Sequence, residues 1–219
     1  MANIFTSSIG KKLIMSLSGL FLMAFLALHA GINLLILSGR DAYNAACHFM
    51  DTNPFIQVMV PVLAFGFFIH IVYAAYLTWN NRKARGAQNY AVSNKTQASS
   101  WAARNMFVLG IIVLGFLCLH LTHFWTKMQL AHYLTGEGAA DPYGLVAELF
   151  TQPVNSIIYI IWITALWFHL THGFWSAFQT IGMNNSKWIC RWKVMAYVYA
   201  TVVALAFLAI PVYFLLPVH

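Results

Sequence analysis

His120-Leu121-Thr122-His123-Phe124-Trp125 lies deep in an apolar run, and the chain nearly repeats it as His169-Leu170-Thr171-His172-Gly173-Phe174-Trp175. A histidine in such surroundings is costly unless it has a partner or a task. Two further apolar runs carry one inner histidine each, His29 and His70. About 20 residues suffice to cross hydrocarbon as a helix, and five runs qualify: residues 13–37, 55–79, 105–129, 154–181 and 194–216. None shows the short alternation of an outer-membrane strand. The sequence predicts an all-α integral membrane bundle of five transmembrane helices, a single domain over residues 1–219.

Composition agrees. Only 8% of the 219 residues are charged and 61% are hydrophobic, against about a quarter charged in a soluble domain. The net charge of +7 is distributed as a topology signal, not as a nucleic-acid surface. Lys11, Lys12, Arg82, Lys83, Arg85, Lys95, Arg104, Lys187, Arg191 and Lys193 all fall on one side of the predicted bundle. Arg40 and Lys127 are the only bases on the other side, which also holds Asp41, Asp51, Glu137, Asp141 and Glu148. The positive-inside rule then places the N-terminus in the cytoplasm and the C-terminus outside, with membrane lipid as a partner of the basic side. Residues 13–37 exceed a signal-peptide core and read as a retained helix.

Between the runs, residues 42–50 read as a short interfacial helix and 144–150 as a second short helix. Pro54 and Pro153 open the second and fourth runs, where proline is tolerated, and Pro61 is expected to kink the second. Residues 80–104 and 184–193 read as loops on the basic side. Trp101, Trp125, Trp188 and Trp192 fall near the expected interfaces. Cys47, Cys118 and Cys190 are kept apart by topology, so no disulfide framework is expected, and no Cys-x-x-Cys-His motif is present.

Depth separates the readings open to the histidines. His29 lies 17 residues after Lys12 and His120 lies 16 after Arg104, in helices of the same direction. At about 1.5 Å per residue both are about 24–26 Å from the basic side. His70 lies 16 residues after Pro54 and His169 lies 16 after Pro153, in helices of the opposite direction. The four histidines thus form two layers of two. Zinc would want three or four ligands at one depth, and a proton path would call on carboxylates, which no run contains. Two layers of two fit two bis-histidine haems of the b type. The second histidines of the doublets, His123 and His172, are 19 residues from the same landmarks and match no layer partner. Gly31, Gly66 and Gly173 lie near the histidines, to admit a macrocycle or to pack helices closely.

Lys12, Ser16-Leu17-Ser18-Gly19, His29, His70, His120 and His169 followed by Gly173-Phe174-Trp175 together resemble the single-chain, five-helix, di-haem cytochrome b subunits of succinate:quinone oxidoreductases, the succinate dehydrogenases and fumarate reductases. The resemblance spans essentially the whole chain. It implies a multi-pass anchor in the bacterial inner (cytoplasmic) membrane, the membrane subunit of an enzyme complex rather than its flavin-bearing part. A cytoplasmic flavoprotein and an iron–sulfur subunit are the implied partners. Electrons would pass between the iron–sulfur subunit and a membrane quinone, with menaquinone expected, through two haems. His29 and His120 would hold the outer iron, His70 and His169 the inner one. Ser16, Trp101 and Lys187 would stand near the inner propionates. The chain departs from some di-haem relatives in having no glutamate within a run, which leaves a transmembrane proton route of that kind without its residue. A di-haem cytochrome b serving a hydrogenase or formate dehydrogenase is the alternative. A small histidine-bearing transporter is a third, disfavoured by the absence of an internal inverted repeat.

Overall fold

A computed structural model describes residues 7–85 and 101–216. The described residues form helices and no strand: α1 (Ser8–Leu34) with a 3-10 extension (Leu35–Ser38), α2 (Arg40–Thr52), α3 (Pro54–Arg85), α4 (Trp101–Arg104) and α5 (Met106–His120). A π-helix (Leu121–Leu130), α6 (Ala131–Thr135), α7 (Pro142–Phe150), α8 (Pro153–Thr180) and α9 (Ser186–Leu215) follow. Five spans are long and apolar enough to cross a membrane: Ile9–Ser38, Pro54–Ala84, Met106–Thr135, Pro153–Thr180 and Ser186–Leu215.

Local chemistry sets the ends. The Ser7 side chain accepts from Gly10 N to cap α1, Asn53 Oδ1 accepts from Phe55 N at 3.0 Å at the start of α3, and Pro153 opens α8. Asn185 accepts from Trp188 N and starts α9 at Ser186, so most of the stretch expected as a 184–193 loop is helical. On the same side α3 continues to Arg85, and α4 occupies Trp101–Arg104; the rest of the expected 80–104 loop, with Lys95, lies outside the described residues. α3 continues through Pro61. The two short helices expected on the other side are present and longer, as α2 and α7.

α8 is the centre. Ser156, Tyr159, Ile163, Leu166, Leu170 and Ala177 are buried on it at steps of three, four and seven, the stripe a packed helix presents. α9 answers with Trp192, Ala196, Ala200, Val203, Ile210 and Phe214. Ala196 and Ala200 have no exposed surface, so small side chains let the two backbones approach, as lipid-embedded helices require. α1 packs on both α8 and α9, giving a three-helix unit; α3 leans on α1, and α5 leans on α8. The most apolar window of α3 contains no buried residue, so this helix faces largely outward. Tyr199 Oη donates to Met23 O and ties α9 to α1.

At the acidic end, α2 and α7 close over the bundle. Arg40 pairs with Asp141, Asn44 Nδ2 donates to Asp141 Oδ1 at 2.9 Å, and Tyr143 N donates to Asn44 Oδ1 at 2.8 Å. Beneath them lie Ile36, Tyr43, Cys47, Val146 and Phe150 in one apolar cluster. Burial pushes the Cys47 thiol up to about 11 and the Tyr43 phenol above its ordinary range, so both are neutral.

Candidate haem-binding site

His169 and His172 share a stripe of α8 with Trp162, Ala165 and Ser176, beside the one that packs on α9. This stripe looks towards the other spans: Trp162 meets Phe116 of α5 with ring centroids 5.3 Å apart. His70 projects from α3 and its ring centroid lies 6.5 Å from that of His169. His29 on α1 lies 5.8 Å from His120 at the end of α5, the rings nearly perpendicular at 86°. The structure therefore brings the four histidines together as two pairs. His70 is also next to Ser18 of α1. Ser18 lies eleven residues before His29 on that helix, or about 16 Å along the axis, which separates the pairs by depth.

The paired helices are diagonal partners. α1 and α5 are not in broad backbone contact, nor are α3 and α8, although α1–α3, α1–α8 and α5–α8 are. Imidazoles thus meet where backbones stand apart. Two imidazoles bound end-on to one metal, with bonds of about 2.0–2.1 Å, would have centroids roughly 6 Å apart, and the observed spacings bracket that value.

The buried polar atoms fit a metal group as well. Among the described residues His120 Nδ1 and His169 Nδ1 are buried without a hydrogen-bond partner, which is expensive in apolar surroundings. Ligation of the ring orders it and uses one of its nitrogens. No three metal-ligating side chains gather among the described residues; each layer has two imidazoles, which would hold a haem iron if a macrocycle supplied the other donors.

The second histidines of the doublets differ from each other. Directly after His120 the helix changes to i→i+5 bonding over Leu121–Leu130, a rare form found often at functional sites. The wider turns carry His123 round to α8, where its Nδ1 lies 3.0 Å from Tyr159 Oη. His172 packs edge-on against Trp175 at 5.0 Å, and its Nδ1 is buried without a partner.

Of the glycines singled out in the sequence, Gly66 serves helix packing: a Cβ there would stand 2.6 Å from Phe21. Gly173 faces Met106, and Gly31 has open space. The glycines that touch the histidines are Gly19, 3.4 Å from His70 Cε1 measured from an added Cβ, and Gly110, 3.9 Å from His169 Cε1. Ser16 is buried. Trp101 rests on Phe168, with centroids 5.2 Å apart, next to His169 in sequence. Lys187 is exposed in the first turn of α9.

Sequence reading missed three neighbours of the histidines: Asn33, Tyr159 and the hydroxyl of Ser18 as a ring partner. Asn33 lies four residues after His29, a spacing that places the two side by side on a helix. Its Nδ2 donates to His29 O at 2.7 Å and stands 3.3 Å from His29 Nδ1. Phe25, four residues before, stacks on the other side at 5.2 Å and 18°.

The chain is 26% identical over 161 residues to the succinate dehydrogenase cytochrome b558 subunit of Bacillus subtilis, covering 73% of this chain and 73% of that protein. No family model matches, and no solved structure matches significantly. The relative supports the resemblance drawn from the histidines: the chain is similar, over most of its length, to a cytochrome b membrane anchor of the succinate:quinone oxidoreductase kind.

Proposed function

We propose that this chain is the haem-bearing membrane anchor of a succinate dehydrogenase or fumarate reductase, linking an iron–sulfur subunit to membrane quinone through two b-type haems. The observation that carries the reading is the pairing of His29 with His120 and His70 with His169, at spacings that suit one metal each. Haem supplies one-electron transfer in such a protein, and the residues supply what tunes it: axial ligands, burial and second-shell hydrogen bonds. The imidazoles of α1 and α3 approach those of α5 and α8 across the diagonals, and aromatic side chains surround one of the two pairs. Phe25, Phe116, Phe124 and Phe207 line the His29–His120 pair. A neutral imidazole carries the lone pair that a metal takes.

The basic end is the proposed docking side, facing the cytoplasm. Ser16 and Trp101 lie towards that end from the His70–His169 pair and are the proposed neighbours of haem propionates, with Lys187 at the mouth. The iron–sulfur subunit and, through it, the flavoprotein would dock on residues 80–104 and the first turns of α9, where Lys187, Arg191 and Lys193 cluster. Menaquinone is the proposed quinone, and the bacterial cytoplasmic membrane the proposed location.

Purification of the chain with a reduced-minus-oxidised spectrum and a haem-to-protein ratio tests the reading. Two b-type haems per chain are expected. A chain that binds no haem sinks the proposal, and co-purification with nickel or molybdenum instead of flavin turns it towards a hydrogenase or formate dehydrogenase subunit.

A further inference from the structure

Ser18 Oγ lies 3.0 Å from Met15 O and 3.3 Å from His70 Nδ1. A hydroxyl has one proton to give, and a carbonyl oxygen can only accept. The proton of Ser18 is therefore committed to Met15, and the same oxygen is left to accept from the ring. That assigns the hydrogen of His70 to Nδ1 and leaves the lone pair on Nε2. Gly19 follows at the same edge of the ring, where an added Cβ would be in ordinary contact at 3.4 Å from Cε1 and 3.7 Å from Nδ1. Helix α1 thus presents a hydroxyl and a bare backbone to the same edge of one imidazole.

No other member of the two pairs has this support. Among the described residues His120 Nδ1 and His169 Nδ1 have no hydrogen-bond partner. The amide beside His29 Nδ1 is the Nδ2 of Asn33, a donor, which does not receive a ring proton.

We infer that Ser18 is a positioning residue for His70: it fixes the tautomer that directs Nε2 to the metal and strengthens that nitrogen as a ligand. The inference rests on the haem reading above. An acceptor behind a ligating imidazole fixes its orientation and raises its basicity, and a stronger donor favours the oxidised metal. Losing the acceptor should move the midpoint potential of that haem in the positive direction.

The test is a redox titration of the purified chain, read optically, for wild type, Ser18→Ala and Ser18→Thr. In Ser18→Ala one of the two midpoint potentials should become more positive and the other stay put. Ser18→Thr, which keeps the hydroxyl, should titrate as wild type. If Ser18→Ala loses the haem, Ser18→Cys, a weaker acceptor, takes over the reading: a positive shift supports the role and an unmoved potential overturns it. Two haems with unchanged potentials in Ser18→Ala overturn the positioning role alone. A wild-type chain that holds no haem overturns both this role and the function proposed above.

Discussion

The two histidine pairs are built on the same diagonal plan yet stand in different surroundings. Nearer the basic end, His70 faces a helix that offers an oxygen and a glycine, and His169 has Gly110 close to its ring. Nearer the acidic end, His29 is clasped between Phe25 and Asn33 of its own helix, and His120 is walled by Phe116, Phe124 and Tyr159. One pair has a hydrogen-bond acceptor behind a ring; the other has aromatic walls and an amide engaged elsewhere, its Nδ2 with His29 O and its Oδ1 with Tyr43 Oη at 3.4 Å. On the proposed haem reading, identical ligand types would be tuned separately, since hydrogen bonding and burial are independent levers on a metal group.

The largest expected effect breaks the pairs themselves. Single replacement of His29, His70, His120 or His169 by leucine should lower the haem content from two per chain to one, by pyridine haemochrome assay. His123→Leu and His172→Leu should keep two; loss from these, with His120 and His169 variants unaffected, would reverse the assignment.

Packing gives the next effect, and it should strike one pair only. Gly66 lies four residues before His70 on α3, and an added Cβ would collide with Phe21 of α1. Gly66→Leu should cost about 1–3 kcal/mol by overpacking, measurable as a lower melting midpoint in detergent, with the haem signal of the His70 pair perturbed first. Equal perturbation of both pairs would show that the α1–α3 seam does not belong to one layer.

At the other pair, Tyr159→Phe removes the hydroxyl that meets His123 Nδ1 while keeping the ring that packs on Phe150 at 4.8 Å. A loss of about 1 kcal/mol is expected, with two haems retained. A haem lost from Tyr159→Phe would make His123 part of the ligand set. Asn33→Leu should shift the potential of the His29 pair by less than Ser18→Ala shifts that of the His70 pair. An equal or larger shift would erase the contrast.

The smallest effect lies outside the membrane spans. Asn44 donates to Asp141, and the Arg40 guanidinium sits beside it; together they hold its carboxyl below the ordinary carboxylate range. A lowered folded pKa contributes stability above the ordinary carboxylate pKa, and this is lost as pH falls through the lowered value. Asp51 has the opposite sign, because burial raises its carboxyl and its contribution weakens as pH rises. Solvent screening keeps the Asp141 effect small. Asp141→Asn should lower the melting midpoint slightly at neutral pH, and the difference should shrink as pH falls through the lowered pKa of the carboxyl.

The five spans were legible from the sequence because transfer into lipid depends on composition and length, which need no partner to evaluate. Depth was legible too, since the rise per residue of a helix is nearly constant, and counting from Lys12, Pro54, Arg104 and Pro153 sorted the four histidines into layers. Facing was not. Three residues on a regular helix leave His123 close to the face of His120, and it is the fold, with a π-helical turn after His120, that sets His123 Nδ1 against Tyr159 Oη of α8. The glycines chosen for nearness in sequence gave way to Gly19 and Gly110, which are near in space because α1 crosses α3 and α5 crosses α8. Ser18 could be read as bonding its own helix, and it does so at Met15. Its second contact, with a ring 52 residues away, exists only because the oxygen keeps a lone pair after giving its proton and the fold brings His70 to it. Sequence determined how deep each group lies, a property of one helix; tertiary structure decided what each group meets, a property of two.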